Sequence, residues 1–175
     1  MAGHDRRKES KMLKPAQLYA DQLRTKILET WYQPENIYWN GGAGDSIPDL
    51  PEDNSSKHCF VSVDKRHRVI GYICYYVDWV AMSAESFGII SFDKGNLEFI
   101  KDLYRVIDEL LTDRMNRISW SCYADNPAIR GYRNFIRRHG GRECGYYRQY
   151  ARLQDGKLHD SVMFEILAEE YRREK

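Results

Sequence analysis

The chain has 175 residues, 27 basic and 26 acidic, for a formal charge of +1. That length fits one domain, and the near-neutral balance gives the whole chain no field for steering towards nucleic acid. A hydrophobic fraction of 42% supports a core, and no stretch approaches the ~20 apolar residues of a membrane span.

The first residues, Met1-Ala-Gly-His-Asp-Arg-Arg-Lys, are polar and lack an apolar targeting segment, which predicts a cytoplasmic protein. Residues 1–14 read as a flexible tail and 15–175 as a single domain. Pro15 opens a predicted helix through Trp31, with Leu18, Tyr19, Leu23, Ile27 and Leu28 recurring at three and four. Residues 33–57 hold three of the five prolines (Pro34, Pro48, Pro51) plus Gly41, Gly42 and Gly44, and show no periodicity. So long a loop is a candidate wall or lid of a site. Its Asp45, Asp49, Glu52 and Asp53 suit a cationic ligand, or simply a solvated loop.

Cys59–Val63 and Val69–Val80 read as a hairpin around the turn at Asp64–Arg68, followed by a strand at Glu85–Phe92. Asp93-Lys94-Gly95-Asn96 breaks that strand. Leu97 to about Asp113 is the clearest helix. Leu97, Ile100, Leu103, Tyr104, Ile107, Leu110 and Leu111 form its apolar stripe, and Lys101, Asp102, Arg105, Asp108 and Glu109 lie outside it. A strand at 118–123 leads through Ala124-Asp125-Asn126-Pro127 into a helix ending at His139. There Gly140-Gly141 supplies a left-handed stop. Glu143–Leu153 is an aromatic strand, and Leu158–Tyr171 reads as a short strand followed by a helix carrying Phe164, Ile166 and Leu167. The order implies an α/β fold, one mixed sheet with helices packed on it.

Several residues have both a chemical and a plain structural reading. The turn at Lys94-Gly95-Asn96 offers backbone N–H groups and a helix dipole to an anion, or is an ordinary turn capped by Asn96. Asn126 is a polar anchor for a ligand or an N-cap, with Pro127 in the first helical position. Tyr132 lies in the middle of an apolar face with Ala128, Ile129, Phe135 and Ile136. It is a core tyrosine or a general acid that stays protonated at neutral pH. Arg130, Arg133 and Arg137 share a helix face, as a phosphate clamp or a solvated row. Glu85 is a general base or a solvated strand end. Seven arginines against one acid, Glu143, between Arg130 and Arg152 make a local basic patch. The four cysteines (Cys59, Cys74, Cys122, Cys144) read as buried reduced thiols. His58, His67, His139 and His159 show no metal spacing, so no metal is expected.

The strand, turn and amphipathic helix at Ser86–Asp113 and the run Asn126-Pro-Ala128-Ile-Arg130-Gly-Tyr132-Arg-Asn-Phe135 resemble the Gcn5-related N-acetyltransferase superfamily. The tail Tyr150–Asp160 is similar to the last hairpin of its ribosomal-protein-acetylating branch. The resemblance spans about Lys57 to Tyr171. It implies a mixed sheet splayed between two parallel strands, helices on both faces, acetyl-CoA as co-substrate in the wedge, and direct attack by a primary amine. Backbone groups of Ile90 and Phe92 would then pair with the pantetheine arm. Lys94, Gly95 and Asn96 would hold the pyrophosphate, with Arg130 and Arg133 on phosphates. Asn126 would fix the arm, Tyr132 would protonate the sulfur, and Glu85 would take the amine proton. The turn at Phe92–Leu97 carries one glycine where the superfamily usually has more. That keeps open a catalytically degenerate acyl-CoA-binding or protein-interaction module. A third reading is a nucleic-acid binder using the Arg130–Arg152 patch, against which the net charge argues. The acceptor and the oligomeric state, a homodimer included, are left open.

Overall fold

The computed structural model describes residues 13–30, 33–39 and 56–172. The chain forms β1 (Leu13–Pro15), a 3-10 turn at Ala16–Tyr19, α1 (Ala20–Thr30), β2 (Lys57–Val63), β3 (Val69–Asp78) and β4 (Ser83–Ser91). It continues with α2 (Leu97–Asp113), β5 (Arg117–Tyr123), α3 (Ile129–His139), β6 (Arg142–Arg152) and β7 (Leu158–Leu167). All seven strands belong to one sheet in the order β1-β2-β3-β4-β5-β7-β6. Every pairing is antiparallel except β4 with β5, which is parallel. The α/β mixed sheet is therefore as expected.

Helices cover both faces. Leu23 and Ile27 of α1 pack with Cys59, Val61, Val63 and Tyr72 on one side. On the other, α2 and α3 pack over a larger core that includes Ile73, Ile118, Trp120, Phe164 and Ile166. Alternation explains the split: Cys59, Val61 and Val63 face α1, while Phe60 and Ser62 face α2. Gly71 is required where α2 crosses β3, because an added Cβ would lie 2.2 Å from the Phe99 ring. Gly71→Ala should destabilise the fold by ~1–3 kcal/mol through overpacking. A denaturant midpoint unchanged from wild type would refute that close fit.

Several expected boundaries move. The strand β1 takes Leu13 and Lys14 out of the tail, and α1 starts only at Ala20, after the 3-10 turn. Leu18 and Leu28 are exposed rather than part of the helix's apolar face, and Trp31 lies outside the described residues. The buried face of α2 is rotated from the predicted stripe. Leu97 and Ile100 are exposed, while Phe99, Asp102 and Val106 are buried. Asp102 is only 2% exposed. Its carboxylate accepts from Ser62 Oγ at 2.7 Å and pairs with Arg105 at 2.9 Å, which is how a buried charge is tolerated. No C-terminal helix forms at Phe164–Leu167. That segment is part of β7, which lies between β5 and β6 and is hydrogen-bonded along both edges. Gly140 and Gly141 do end α3, at φ 99° and 96°. Among the cysteines, Cys59 and Cys122 are buried, whereas Cys144 is exposed on β6.

Candidate active site

The parallel strands β4 and β5 pair at only two positions, Ser83↔Arg117 and Ala84↔Ile118. Immediately beyond, β4 carries a bulge. Cys74 faces Gly88 and Tyr76 faces Glu85, so Ser86 and Phe87 oppose the single Tyr75, and Ser86 adopts φ 51°. A bulge adds local bend and twist to its strand. Here it turns β4 away from β5, and the rest of the two strands splays apart.

The gap opens into a cavity of about 600 Å³ on the α2–α3 face. Phe87, Ile89 and Ser91 of β4, Ile118 and Trp120 of β5, Phe99, Leu103 and Tyr104 of α2, and Gly131, Tyr132 and Phe135 of α3 line it. Its walls are almost wholly hydrocarbon and aromatic, and its size is that of a small-molecule site. Gly95 lies at the turn above it with φ 80°, a conformation that favours glycine.

Tyr132 is held on this wall by aromatic packing, its ring 6.1 Å from Trp120 and 5.9 Å from Phe164. Burial, with a smaller contribution from the Cys122 thiol beside it, pushes the phenol up to about 12. Burial likewise lifts Cys122 to about 11, with Asp125 adding to it. Both groups are therefore protonated at neutral pH.

The other expected site residues are distributed around this cavity. Phe92 N–H donates to Ile70 O at 3.0 Å, so it is committed to β3. Antiparallel ladders alternate inward and outward backbone pairs, so Ile90, opposite Tyr72, also turns its main-chain groups to β3. The polar groups aimed into the gap belong instead to Ile89 and Ser91. Asn96 caps α2: its Oδ1 accepts from the N–H groups of Glu98 (2.9 Å) and Phe99 (3.3 Å), and its Nδ2 donates to Asp93 Oδ2. Lys94 is exposed on the same turn.

Asn126 is not the cap residue of α3, because the helix begins at Ile129, two residues after Pro127. Its Oδ1 accepts from Ala128 N–H in the preceding turn. With Asp125 and Arg130 it borders a separate cleft of about 370 Å³. Arg133 points away from the cavity and pairs with Glu143 of β6 at 2.6 Å. Glu85 lies at the closed, paired end of the strands. Its carboxylate is taken by Arg117 and Ser83 Oγ, each at 2.9 Å. The structure thus unites Gly95 and Tyr132 on one cavity and places Glu85 and Arg133 outside it. Trp120 and Phe87, which also shape the wall, escaped the sequence reading, whereas Phe135 shares the apolar face that the sequence assigns to Tyr132. The alternation of Ile118, Trp120 and Cys122 was the signal for one of them.

Of the 33–57 loop, the described part does border the gap, on the face opposite the cavity. The Trp39 ring meets Phe92 at the end of β4 edge-on, centroids 6.1 Å apart, and Tyr38 lies 6.0 Å from Tyr123 at the end of β5. The acidic residues Asp45 to Asp53 fall outside the described residues.

No family model matches the chain, and no curated protein sequence matches it. Solved structures do. A spermidine N-acetyltransferase from Vibrio cholerae in complex with CoA and spermine superposes with a TM-score of 0.67, over 91% of this chain and 96% of that one, at 19% identity. A GCN5-related N-acetyltransferase from Brucella melitensis gives 0.66 over 90% and 76%, at 18% identity. Mutant forms of the Vibrio cholerae spermidine/spermine N-acetyltransferase give 0.57 over 69% and 71%, at 25% identity. With its seven-stranded sheet forked between β4 and β5, the chain has the fold of the Gcn5-related N-acetyltransferases.

Proposed function

We propose that the chain is an acetyl-CoA-dependent N-acetyltransferase that passes an acetyl group directly to a primary amine. The observation that carries this is the fork itself: two parallel strands joined at two residue pairs, opening on an apolar cavity that carries Tyr132 on its wall. Bound acetyl-CoA would supply the activated thioester. Phe87, Ile89 and Trp120 offer a dry sleeve for its pantetheine arm, and the main-chain groups of Ile89 and Ser91 offer the arm a strand edge to pair with. The amine would reach the thioester from the opposite face, past Tyr38 and Trp39. Holding the two reactants in register supplies the largest share of the rate.

The role of Tyr132 follows from its environment. A phenol that burial pushes up to about 12 is a weaker acid than the thiol it would protonate. Stepwise proton delivery is therefore uphill. Tyr132 acts by hydrogen-bonding the sulfur as negative charge develops there, with the proton moving as the bond breaks. For Glu85 the ion pair with Arg117 argues against a role as base. The spermine bound to the Vibrio cholerae neighbour supports a cationic amine as acceptor.

One observation favours the second reading, a module of this fold without catalysis. Asn96 occupies two of the first-turn N–H groups of α2, and Asp93 sets a carboxylate beside them. Both reduce what that turn can offer a pyrophosphate. The arginine patch, in turn, is partly neutralised within the chain by Arg133–Glu143 and Arg142–Glu165, which weakens the nucleic-acid reading. Calorimetry with acetyl-CoA and thiol release over a panel of primary amines decide among these. Binding with amine-dependent thiol release is the expected result. Binding without release on any amine would leave the module, and no binding at millimolar ligand would remove both.

A further inference from the structure

We infer that His159 is a positioning residue, a clasp working only as the imidazolium, which holds the Tyr38–Trp39 segment across the open fork on the acceptor side. His159 is 7% exposed. Its Nδ1 lies 2.7 Å from Asp125 Oδ2, in the turn between β5 and α3. Its Nε2 lies 3.1 and 3.2 Å from the two carboxylate oxygens of Asp155, in the turn between β6 and β7. Ionised carboxylates only accept, and a neutral imidazole has a single N–H. Only the charged ring satisfies both partners at once.

The clasp ties three segments together. Burial first, and then the charge of Asp125 beside it, raise the Tyr38 phenol above its ordinary value. The Tyr38 ring stands edge-on to the imidazole, with centroids 6.0 Å apart at 86°, and Tyr123 does the same at 6.1 Å and 69°. Trp39 then reaches Phe92 at the end of β4, so the segment bridges both arms of the fork. Asp155 is itself fixed by Lys157 N–H at 3.0 Å.

The titratable surroundings are Asp125, Tyr123 and Cys122 from the β5 side, Asp155 and Lys157 from the hairpin turn, and Tyr38 from the bridging segment. Asp160 is the next residue along β7, held by the Tyr146 hydroxyl and Gln149 N–H. Burial works against charge on His159, but the hydrogen bonds and charges of Asp155 and Asp125 outweigh it and raise the imidazole above its ordinary 6.5. Lys157 N–H and His159 hold Asp155 below its ordinary value. The sign follows. A raised imidazole contributes fully below pH ~6.5 and its contribution is lost as pH rises through the raised value. Above that, a ring lone pair faces one of the two carboxylates, and the bridging segment loosens.

The test is a histidine-resolved NMR titration of the full chain, together with amide hydrogen exchange of residues 33–39 corrected for its intrinsic pH dependence. His159 should titrate above 6.5. Protection of 33–39 should fall over the same range, by about ten-fold for each unit by which that titration is raised. In His159→Gln, protection should be low and flat with pH. Asp155→Asn, which leaves Asp125 in place, should lower the His159 titration and move the protection loss with it. Titration at or below 6.5, or protection unaffected by it or by either variant, would overturn the clasp. Its kinetic consequence rests on the acetyl-transfer reading: KM for the amine should follow the protection curve while the Kd for acetyl-CoA stays level. The exchange measurement needs no substrate, so a protein that transfers no acetyl group can still show the clasp, and an active one can still lack it.

Discussion

Gly131→Phe should weaken acetyl-CoA binding by roughly two orders of magnitude or more while leaving the fold intact. Gly131 sits on the cavity side of α3, and nothing lies within 4 Å of a Cβ built on it. The position lines the cavity, so a phenyl ring there stands in the proposed path of the pantetheine arm. Glycine inside a helix costs ~1 kcal/mol relative to alanine, so the replacement removes a penalty rather than adding one. We expect the Kd for acetyl-CoA to rise at least ~100-fold, equivalent to ~2.7 kcal/mol, with Tm equal to or above wild type. Calorimetry beside a melting curve reads both. Unchanged affinity in a folded variant would mean that the arm does not pass between α2 and α3, and the proposed function would lose its main support.

Tyr132→Phe isolates the chemistry from the binding. The ring keeps its packing against Trp120 and Phe164, and only the hydroxyl is lost. Hydrogen-bond and proton assistance to a leaving group contributes 10²–10⁴-fold, so kcat should fall at least ~100-fold, with the Kd for acetyl-CoA within ~2-fold. Because burial holds the phenol at about 12, an alkaline limb of the wild-type pH–rate profile near neutrality cannot come from this residue, and Tyr132→Phe should leave its midpoint in place. A variant with full turnover would strip Tyr132 of its role and return it to the core.

The elements were legible wherever local pattern was strong. Leu97–Asp113 is the helix that the apolar periodicity predicts, and the chain stops α3 at the glycine pair. Pattern failed where neighbours overrode it. Phe164, Ile166 and Leu167 sit in a segment of good helix formers, yet β5 and β6 pair with both its edges and draw it into the sheet. Asp102 reads as a solvated helix position, but α2 crosses β2 there and Ser62 meets its carboxylate. The candidate site shows the same division. Tyr132 and Gly95 stood out because a phenol on an apolar face and a glycine before a cap are local signals. His159 carried none, since its two aspartate partners become meaningful only when two turns meet.

Residue by residue, the chain's own chemistry determined its helices, most of its strands, and the strand–turn–helix units on either side of the fork, because capping, periodicity and turn preference act over a few neighbours. Tertiary structure alone decided where the expected splay begins, after two pairs of β4 with β5, since a bulge shows itself only against the strand it fails to match. It also decided that Glu85 is claimed by Arg117, 32 residues away, and that His159 is gripped by Asp125, 34 residues away. Those contacts arise from strand order, and an order such as β5-β7-β6 is a property of the whole assembled sheet rather than of any stretch within it.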